Sequence, residues 1–341
     1  MLDRMKQEVK RQSLKNPELP GLAPWPCTAK QGRQRSPGQD PWSRPTVQQG
    51  RLRFSRAGRT PNSKLILGLI GSPRKLGNCE VFVKEISRHI DLDHKLHLIR
   101  MPSLEILPCR ACYGCIMDKP CPNKDDMEFL LNHIVQSDAI IVASPVYFLG
   151  AHSIFKRILD RGFLFYNFIE KTYNKPCILV NIYGVKERVG VAPHTLMSFA
   201  SFLGLNIKAS LNMRAALPGE ILTDERNIEK AKRLGKILFS REMIKNRYGC
   251  PFCGCEIVKM EKGKFICTLC HGHFSIDEYG KKIKIKDEGI SGSPEHMLLH
   301  KEWLRGMKNR FLERRKEILK NTIRHKDIGE WIEPESPSSR R

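Results

Sequence analysis

Apolar residues are grouped in short runs that predict strands buried on both faces. "KLILGLIG" begins at Lys64, "DAIIVAS" covers residues 138–144, and "PCILVNIYG" covers residues 176–184. Near-continuous runs of this length are typical of the interior of a parallel sheet, because helices cover both of its faces. Two further strands are predicted from weaker patterns, "HKLHLIRM" at 94–101 and "NIKASLNMRA" at 206–215.

Helical spacing of apolar residues recurs between these strands, at about 78–90, 125–136, 151–168, 194–203 and 224–246. Alternating strands and helices indicate a parallel sheet with helices on both faces. Five strands in this order are typical of the flavodoxin-like type. The predicted fold class is therefore α/β, with a doubly wound five-stranded parallel sheet.

Composition divides the chain further. Residues 1–62 are rich in Pro, Gly, Gln and Arg and lack hydrophobic periodicity, which predicts a disordered basic tail. Because the folded pattern begins abruptly at Lys64, this segment is also a candidate gene-model extension. We therefore predict a sheet domain at 63–247, a small zinc-ribbon-like module at 248–280, and a basic amphipathic helix with a tail at 281–341.

The net charge of +23 is concentrated in the two ends of the chain. Such a distribution is typical of solvated surface and is compatible with an acidic partner. The apolar runs are shorter than the roughly 20 residues that a membrane-spanning helix needs, and no apolar segment near the N-terminus resembles a secretory signal. We expect a cytoplasmic protein without membrane contact, whose clustered cysteines bind metal rather than form disulfides.

The stretch "CRACYGCIMDKPC" brings four cysteines close together: Cys109, Cys112, Cys115 and Cys121. Three thiols at intervals of three residues are typical of loops that bind a 4Fe-4S cluster. A cluster loop is therefore predicted at 108–124. Zinc and free or redox-active thiols remain alternatives, and spacing alone does not show whether Cys121 completes the cluster.

A second set of cysteines, Cys250, Cys253, Cys267 and Cys270, forms two CxxC pairs, a pattern typical of a metal ribbon. Zinc is the predicted ion. A single iron with the same four ligands, which would add an electron relay, is the alternative, and Cys255 is a candidate replacement ligand. A segment of this size has little core of its own, so a bound metal is expected to stabilise it.

The stretch "GSPRKLGN" at 71–78 joins the first strand to the first helix, where doubly wound sheets bind phosphate. The backbone N–H groups at a helix N-terminus attract anions. Ser72 offers a hydroxyl, Arg74 and Lys75 offer positive charge, Gly77 allows a close approach, and Asn78 is predicted to cap the helix. An ordinary turn before a helix is the alternative for this stretch alone.

Four stretches together resemble the NADPH-dependent FMN reductases and the iron–sulfur flavoproteins of the flavodoxin-like family. They are "GSPRKLGN", the cysteine run before "DDM" (125–127), "SPVYF" (144–148) and "FKRILDR" (155–161), within about residues 64–245. The resemblance implies a bound FMN. Its phosphate would lie among Ser72, Arg74, Gly77, Asn78 and Cys79, and its ring beside Pro145, Val146, Tyr147 and Phe148, with Tyr183 and Gly184 as a third contact. Relatives usually carry Ser or Thr at the position of Cys79, so this thiol, a poor hydrogen-bond donor, is a departure.

The resemblance implies an FMN-dependent oxidoreductase or electron-transfer protein, in which the flavin rather than a side chain is the catalytic group. It further implies NAD(P)H or reduced ferredoxin as the electron donor and a homo-oligomer, a dimer or tetramer; nucleic acid is not an expected partner. The alternative is a zinc-ribbon regulatory protein that binds nucleic acid or senses redox state on the same fold. A cluster-free quinone or FMN reductase with zinc in the first cysteine set is a third interpretation.

Overall fold

The computed structural model describes residues 63–244, 246, 248–287, 293–329 and 332. The tail predicted at 1–62 lies outside the described residues, as does most of the chain after residue 329. Among the described residues, no helix combines the length and the apolar character needed to cross a membrane.

The main sheet has five parallel strands and one short antiparallel strand. They are β1 (Lys64–Ile70), β2 (His94–Arg100), β3 (Ala139–Tyr147), β4 (Gly150–Ala151), β5 (Pro176–Tyr183) and β6 (Asn206–Arg214). The parallel strands lie in the order β2-β1-β3-β5-β6, and β4 pairs with the end of β3. This is the doubly wound order, so the predicted α/β flavodoxin-like fold class is confirmed.

Helices cover both faces of the sheet. They are α1 (Asn78–Arg88), α2 (Met127–Gln136), α3 (Ser153–Leu159), α4 (Ile169–Thr172), α5 (Ala192–Phe202) and α6 (Glu225–Ile237). Side chains alternate along β1, so that Leu67 and Leu69 pack in the cluster with α2, α3 and α5, while Ile66 and Ile70 pack in the cluster with α1 and α6. The sheet is therefore buried on both faces, as the continuous apolar runs predict.

Gly68 lets α1 approach the sheet closely. A Cβ atom at this position would lie 2.5 Å from Leu98 Cδ2 on β2 and 2.8 Å from Val83 Cγ1 on α1. A side chain here would push the helix outward. The glycine thus helps to place the N-terminus of α1 at the C-terminal end of β1, where a doubly wound sheet has its binding crevice.

The helix predicted at 151–168 is shorter in the structure. α3 ends at Leu159, and a 3₁₀ segment follows at Gly162–Asn167. Arg161 lies between the two, and its side chain is buried against the cysteine loop rather than exposed on a continuing helix.

A second, antiparallel sheet contains the ribbon module, with β7 (Val258–Glu261), β8 (Lys264–Cys267), β9 (His273–Ile276) and β10 (Lys282–Lys286). Because β10 pairs with β9, the module extends beyond the predicted boundary at residue 280. Leu269 and Phe274 of the ribbon belong to the same hydrophobic cluster as Leu196 and Met197 of α5. The ribbon therefore shares its core with the sheet domain.

The C-terminal helix, α7 (Pro294–Ile323), is 30 residues long and falls within the helix and tail predicted at 281–341. From Leu298 onward it belongs to a second compact unit of the chain.

Candidate functional site

A cavity of about 180 Å³ opens where the C-terminal ends of β1, β3 and β5 meet the loop after β6. Most residues predicted to contact FMN line it: Ser72, Arg74, Gly77, Asn78, Cys79, Pro145, Val146, Tyr147 and Gly184. Lys75, Phe148 and Tyr183 are not part of this lining, as far as the described residues form it. The loop after β6 adds Ala215, Ala216 and Pro218, which were not predicted.

The turn between β1 and α1 is compact. Ser72 is buried, and its Oγ accepts a hydrogen bond from the Arg74 N–H at 3.3 Å. Gly77 is the N-cap of α1, and a Cβ atom there would lie only 3.2 Å from Arg74 Cβ. The turn leads directly into the helix, whose first N–H groups lack partners within the helix and carry a partial positive charge. This arrangement suits a phosphate group.

Asn78 joins the turn between β1 and α1 (residues 71–78, the predicted phosphate loop) to the loop after β6. Its Nδ2 donates to the carbonyls of Ala215 at 3.3 Å and Leu217 at 2.9 Å, and its Oδ1 accepts from the Ile221 N–H at 3.2 Å. The prediction that Asn78 caps α1 is wrong, because Gly77 is the N-cap and Asn78 is the first helical residue. Its amide instead fixes one wall of the cavity against another.

Arg100, at the end of β2, supports the phosphate loop from behind. Its Nη1 donates to the carbonyls of Ser72 at 3.0 Å and Arg74 at 2.6 Å, and its Nη2 donates to Glu80 at 2.6 Å. Burial alone would raise the pKa of Glu80, but hydrogen bonds from Lys84 and Arg100 outweigh it and lower this pKa to about 2. Glu80 is therefore a carboxylate that holds Arg100 in place.

Replacing Glu80 with Gln is expected to lower the free energy of unfolding at pH 7 by about 2 kcal/mol, because Arg100 loses its charged partner. The pKa of Glu80 lies below its ordinary 4.5 in the folded protein. Its contribution is therefore complete above that pH and is lost as the pH falls toward 2. Urea unfolding measured between pH 4.5 and about 2 should show this loss of stability in the wild type and not in the Glu80→Gln variant.

The matched control is Glu229→Gln, an exposed position on α6. It should stay within about 0.5 kcal/mol of the wild type at pH 7. If the free energy of unfolding has the same pH dependence in the wild type and in Glu80→Gln, Glu80 is not the carboxylate that holds Arg100 in place.

Cys79 lines the cavity as a neutral thiol. Its side chain is buried, and burial raises its pKa to about 12. A neutral group adds no negative charge beside a bound phosphate, so the departure from Ser or Thr is compatible with phosphate binding.

The turn from β3 to β4 carries the other predicted flavin contacts. Phe148 and Leu149 both have left-handed backbone conformations, with φ of 48° and 64°, which are strained for large side chains. The Val191 N–H donates to the Leu149 carbonyl at 2.7 Å, and Gly190 has no Cβ atom to collide with that carbonyl. The strained turn directs Tyr147 to the cavity lining and leaves Phe148 fully exposed.

A second cavity, of about 250 Å³, is lined by all four cysteines of the first set: Cys109, Cys112, Cys115 and Cys121. Ala111, Tyr113 and Asp118 have positive φ angles, so the loop curls instead of continuing as a helix. Burial raises the pKa of the Cys115 thiol to about 11, so an added positive charge would be needed to hold it as a thiolate.

As far as the structure describes the chain, the sulfur atoms of this loop are not among the groups able to hold a single ion. Among the described residues, the group of ligand atoms close enough to hold one metal ion consists of Cys250, Cys253, Cys267 and Cys270. Thiolates around one zinc ion would be about 3.8 Å apart, given Zn–S bonds of about 2.3 Å. Each thiolate of a 4Fe-4S cluster binds a different iron, so the ligands of a cluster need not lie this close together.

The two ends of the cysteine loop are tied together by adjacent aspartates. Asp126 accepts from the Glu105 N–H and Asp125 accepts from the Leu107 N–H, both at 2.8 Å. Asp125 also pairs with Arg161, and the two side chains are only 1% and 2% exposed. Although burial opposes the charged form, this pairing raises the pKa of Arg161, which stays positively charged.

The second set of cysteines has the geometry of a single-ion site. The four sulfur atoms of Cys250, Cys253, Cys267 and Cys270 all lie within 4.8 Å of one another. The distances Cys250–Cys270 and Cys253–Cys267 are both 3.6 Å, close to the edge of about 3.8 Å of a tetrahedral tetrathiolate site. Cys255 is buried but is not part of the group.

Backbone N–H groups surround the ribbon sulfur atoms. Phe252 donates to Cys250, Leu269 to Cys267 and Gly272 to Cys270, each at 3.4 Å. The two CxxC pairs therefore form equivalent knuckles. This group is able to hold one metal ion.

Residues 65–214 match the model of one protein family, described as NADPH-dependent FMN reductase. These residues span the main sheet from β1 to β6, including the phosphate loop and the cysteine loop. The match defines an FMN reductase domain in this chain, which is similar to the NADPH-dependent FMN reductases. The family resemblance predicted from the sequence is confirmed.

Two relatives of the FMN reductase domain are iron–sulfur flavoproteins. That of Methanocaldococcus jannaschii is 34% identical over 98 residues, which are 28% of this chain and 51% of the relative. That of Clostridioides difficile is 28% identical over 190 residues, which are 53% of this chain and 81% of the relative. The chain thus spans about half the length of several curated relatives that it matches.

Among solved structures, a flavone reductase matches with a TM-score of 0.61 and 18% identity. The match covers 80% of this chain and 100% of the flavone reductase. At this identity, it shows a common fold.

Several residues of the FMN reductase domain escaped the sequence analysis. Arg100 and Glu80 brace the phosphate loop, and Arg161 and Asp125 close the cysteine loop. The stretch "FKRILDR" (155–161) contains four charged residues, and nothing in it distinguishes Arg161 as the buried one. Its partner is 36 residues away, and spacing gives no indication of such a pair.

Proposed function

We propose that the protein is an FMN-dependent oxidoreductase that transfers electrons through FMN and a 4Fe-4S cluster. The observation that carries this proposal is that the four cysteines of one loop line a single cavity within an FMN reductase domain. The names of the two relatives, both iron–sulfur flavoproteins, support an iron–sulfur centre together with a flavin.

The residues of the cavity of about 180 Å³, the FMN cavity, fit FMN. Ser72, Arg74 and the N-terminus of α1 would hold the phosphate, while Pro145 to Tyr147 and Gly184 would contact the ring. FMN, when bound, supplies both two-electron and one-electron transfer, and the protein supplies position and electrostatics. Asn78 and Arg100 hold the surrounding loops at fixed separations.

Replacing Arg74 with Gln is expected to weaken FMN binding about 10- to 100-fold, because a charge-assisted hydrogen bond to phosphate is lost. Affinity for riboflavin, which lacks the phosphate, should stay within about twofold of the wild type. Flavin fluorescence quenching measures both affinities.

Lys75→Gln is the matched control, since Lys75 is adjacent in sequence but is not part of the described cavity lining. It should retain wild-type affinity for FMN. An equal loss of riboflavin affinity in the Arg74 variant would contradict a phosphate contact.

The residues of the second cavity fit a 4Fe-4S cluster. Cys109, Cys112, Cys115 and Cys121 would be its ligands, since all four line this one cavity. Arg161 donates to Cys121 Sγ at 3.4 Å and supplies a buried positive charge beside the thiolates. The cluster would exchange single electrons with the flavin.

We propose zinc for the ribbon site, in a structural role. The four sulfur atoms lie at the separations of a tetrahedral tetrathiolate site, which is typical of structural zinc. The ribbon has little core of its own, so a bound ion would stabilise it.

We further propose NAD(P)H or reduced ferredoxin as the electron donor, a cytoplasmic location and a homo-oligomeric state. The family description, NADPH-dependent FMN reductase, supports a nicotinamide donor. Anaerobic mixing with NADPH, NADH or reduced ferredoxin would distinguish the donors by the rate at which flavin absorbance bleaches.

Anaerobic purification with an absorption spectrum and metal analysis tests the proposal as a whole. We expect about one FMN, about four irons with about four acid-labile sulfides, and about one zinc per chain. A colourless protein that binds neither FMN nor iron after reconstitution would overturn it.

A further inference from the structure

Arg161 and Cys121 lie beside two neighbouring cavities. One is the cavity lined by the four cysteines, and the other is a neighbouring cavity of about 510 Å³. Both residues line both cavities. The Arg161 side chain is only 2% exposed, so this guanidinium is an internal group of the cysteine loop and not a surface charge.

The hydrogen bonds of Arg161 join Asp125, at the C-terminal end of the cysteine loop, to one cysteine sulfur atom. Its Nη1 pairs with Asp125, and its Nη2 donates to Cys121 Sγ at 3.4 Å. Among the buried side-chain atoms that the structure describes, Arg161 Nε is one of two without a hydrogen-bond partner. A buried donor without a partner is costly, and sulfur atoms in the adjacent cysteine cavity would provide an acceptor.

Cys121 needs this support more than the other three cysteines. Cys109, Cys112 and Cys115 follow one another at intervals of three residues, whereas Cys121 comes six residues after Cys115. Its position is set where the two ends of the cysteine loop meet. There, Asn123 Nδ2 donates to the Pro108 carbonyl at 2.9 Å.

We propose that Arg161 is a positioning residue that fixes Cys121 as the fourth cluster ligand and raises the reduction potential of the cluster. This inference rests on the proposed 4Fe-4S site. A cationic donor at a ligand sulfur favours the more negative, reduced cluster, because hydrogen bonds to the sulfurs tune the potential. The planar guanidinium suits this role, since it reaches the carboxylate and the sulfur at the same time.

A purely structural role for the Arg161–Asp125 pair makes a different prediction. Loss of such a pair would lower the stability of the protein but would leave the reduction potential unchanged wherever the cluster is still bound. The potential of the bound cluster therefore distinguishes the two roles.

The test uses full-length Arg161→Gln, Arg161→Lys and Arg157→Gln, each loaded anaerobically with iron and sulfide. Arg157 is a matched control, because it is exposed on α3 and donates to the Ile106 carbonyl at 3.3 Å. Redox titration followed by electron paramagnetic resonance gives the midpoint potential, and transfer of iron to a chelator gives the release rate.

Arg161→Gln is expected to lower the midpoint potential and to release iron at least about tenfold faster than the wild type. Arg161→Lys keeps the positive charge but lacks the planar guanidinium that donates to two acceptors at once. It should therefore shift the midpoint potential and the iron release rate in the same direction, but less. Arg157→Gln should match the wild type. If Arg161→Gln does not fold, Arg161→Lys supports the same conclusion with the same direction of change.

A midpoint potential and release rate equal to those of Arg157→Gln, in each soluble Arg161 variant, would overturn the inference. A wild-type protein that binds no iron and sulfide would overturn the proposed cluster itself, before any variant is made. If only the Arg161 inference fails, the wild type will bind its full iron and sulfide, and the Arg161 variants will have the same midpoint potential and iron release rate as the wild type.

Discussion

The Cys112→Ser variant is expected to lose the iron and sulfide of the cysteine loop and to keep its FMN. Cluster irons require thiolate ligands, and a serine hydroxyl at this position would stay protonated at neutral pH. Iron and sulfide should fall from about four to below about one per chain. The visible spectrum should then show FMN alone.

FMN binding should survive because the two cavities have no lining residue in common. The FMN dissociation constant of the Cys112 variant should therefore stay within about twofold of the wild type. Cys79→Ser is the matched control, since it replaces a buried thiol outside the cysteine loop and should retain the full cluster. Normal iron and sulfide content in Cys112→Ser would contradict the assigned ligand set.

The Cys270→Ser variant is expected to lose the ribbon metal and to unfold the ribbon. Structural zinc sites of this type supply about 10–16 kcal/mol of binding free energy, and the short strands β7 to β10 have little core to replace it. Zinc should fall from about one per chain to none. Trypsin should then cleave at Lys259 and Lys264, which lie in β7 and β8.

The loss of the ribbon is also expected to destabilise the FMN reductase domain, because Leu269 and Phe274 pack in the same cluster as α5. FMN affinity should change little, since no residue of the ribbon lines the FMN cavity. Cys255→Ser is the matched control within the ribbon and should retain the metal. Metal loss in Cys255→Ser but not in Cys270→Ser would show that the ligand set is different.

The order of the sheet was predictable because its signal is local. Each buried strand is a continuous apolar run, and the strand–helix alternation leaves few topologies open. The two cysteine sets were recognisable for a similar reason, since ligand spacing within a short loop restricts the type of metal site. The phosphate loop was predicted from its position after β1 and from its small and basic residues.

The roles of single side chains were less predictable. Asn78 was expected to cap α1, yet its amide bonds to residues more than 130 positions away. Phe148 follows Tyr147 directly and was assigned the same role, but the left-handed turn leaves Phe148 outside the FMN cavity. The sequence also offered no indication of β10, because the pairing of β10 with β9 depends on the register between strands.

The sequence by itself indicated the fold class, the family resemblance and the two sets of clustered cysteines, because hydrophobic periodicity and cysteine spacing are properties of neighbouring residues. Only the tertiary structure decided which charged groups serve these sites. Arg100 and Glu80 meet behind the phosphate loop, and Arg161 reaches Asp125 and Cys121 across some 40 residues. Buried charges need partners of fixed geometry, and packing of the whole domain brings such partners together.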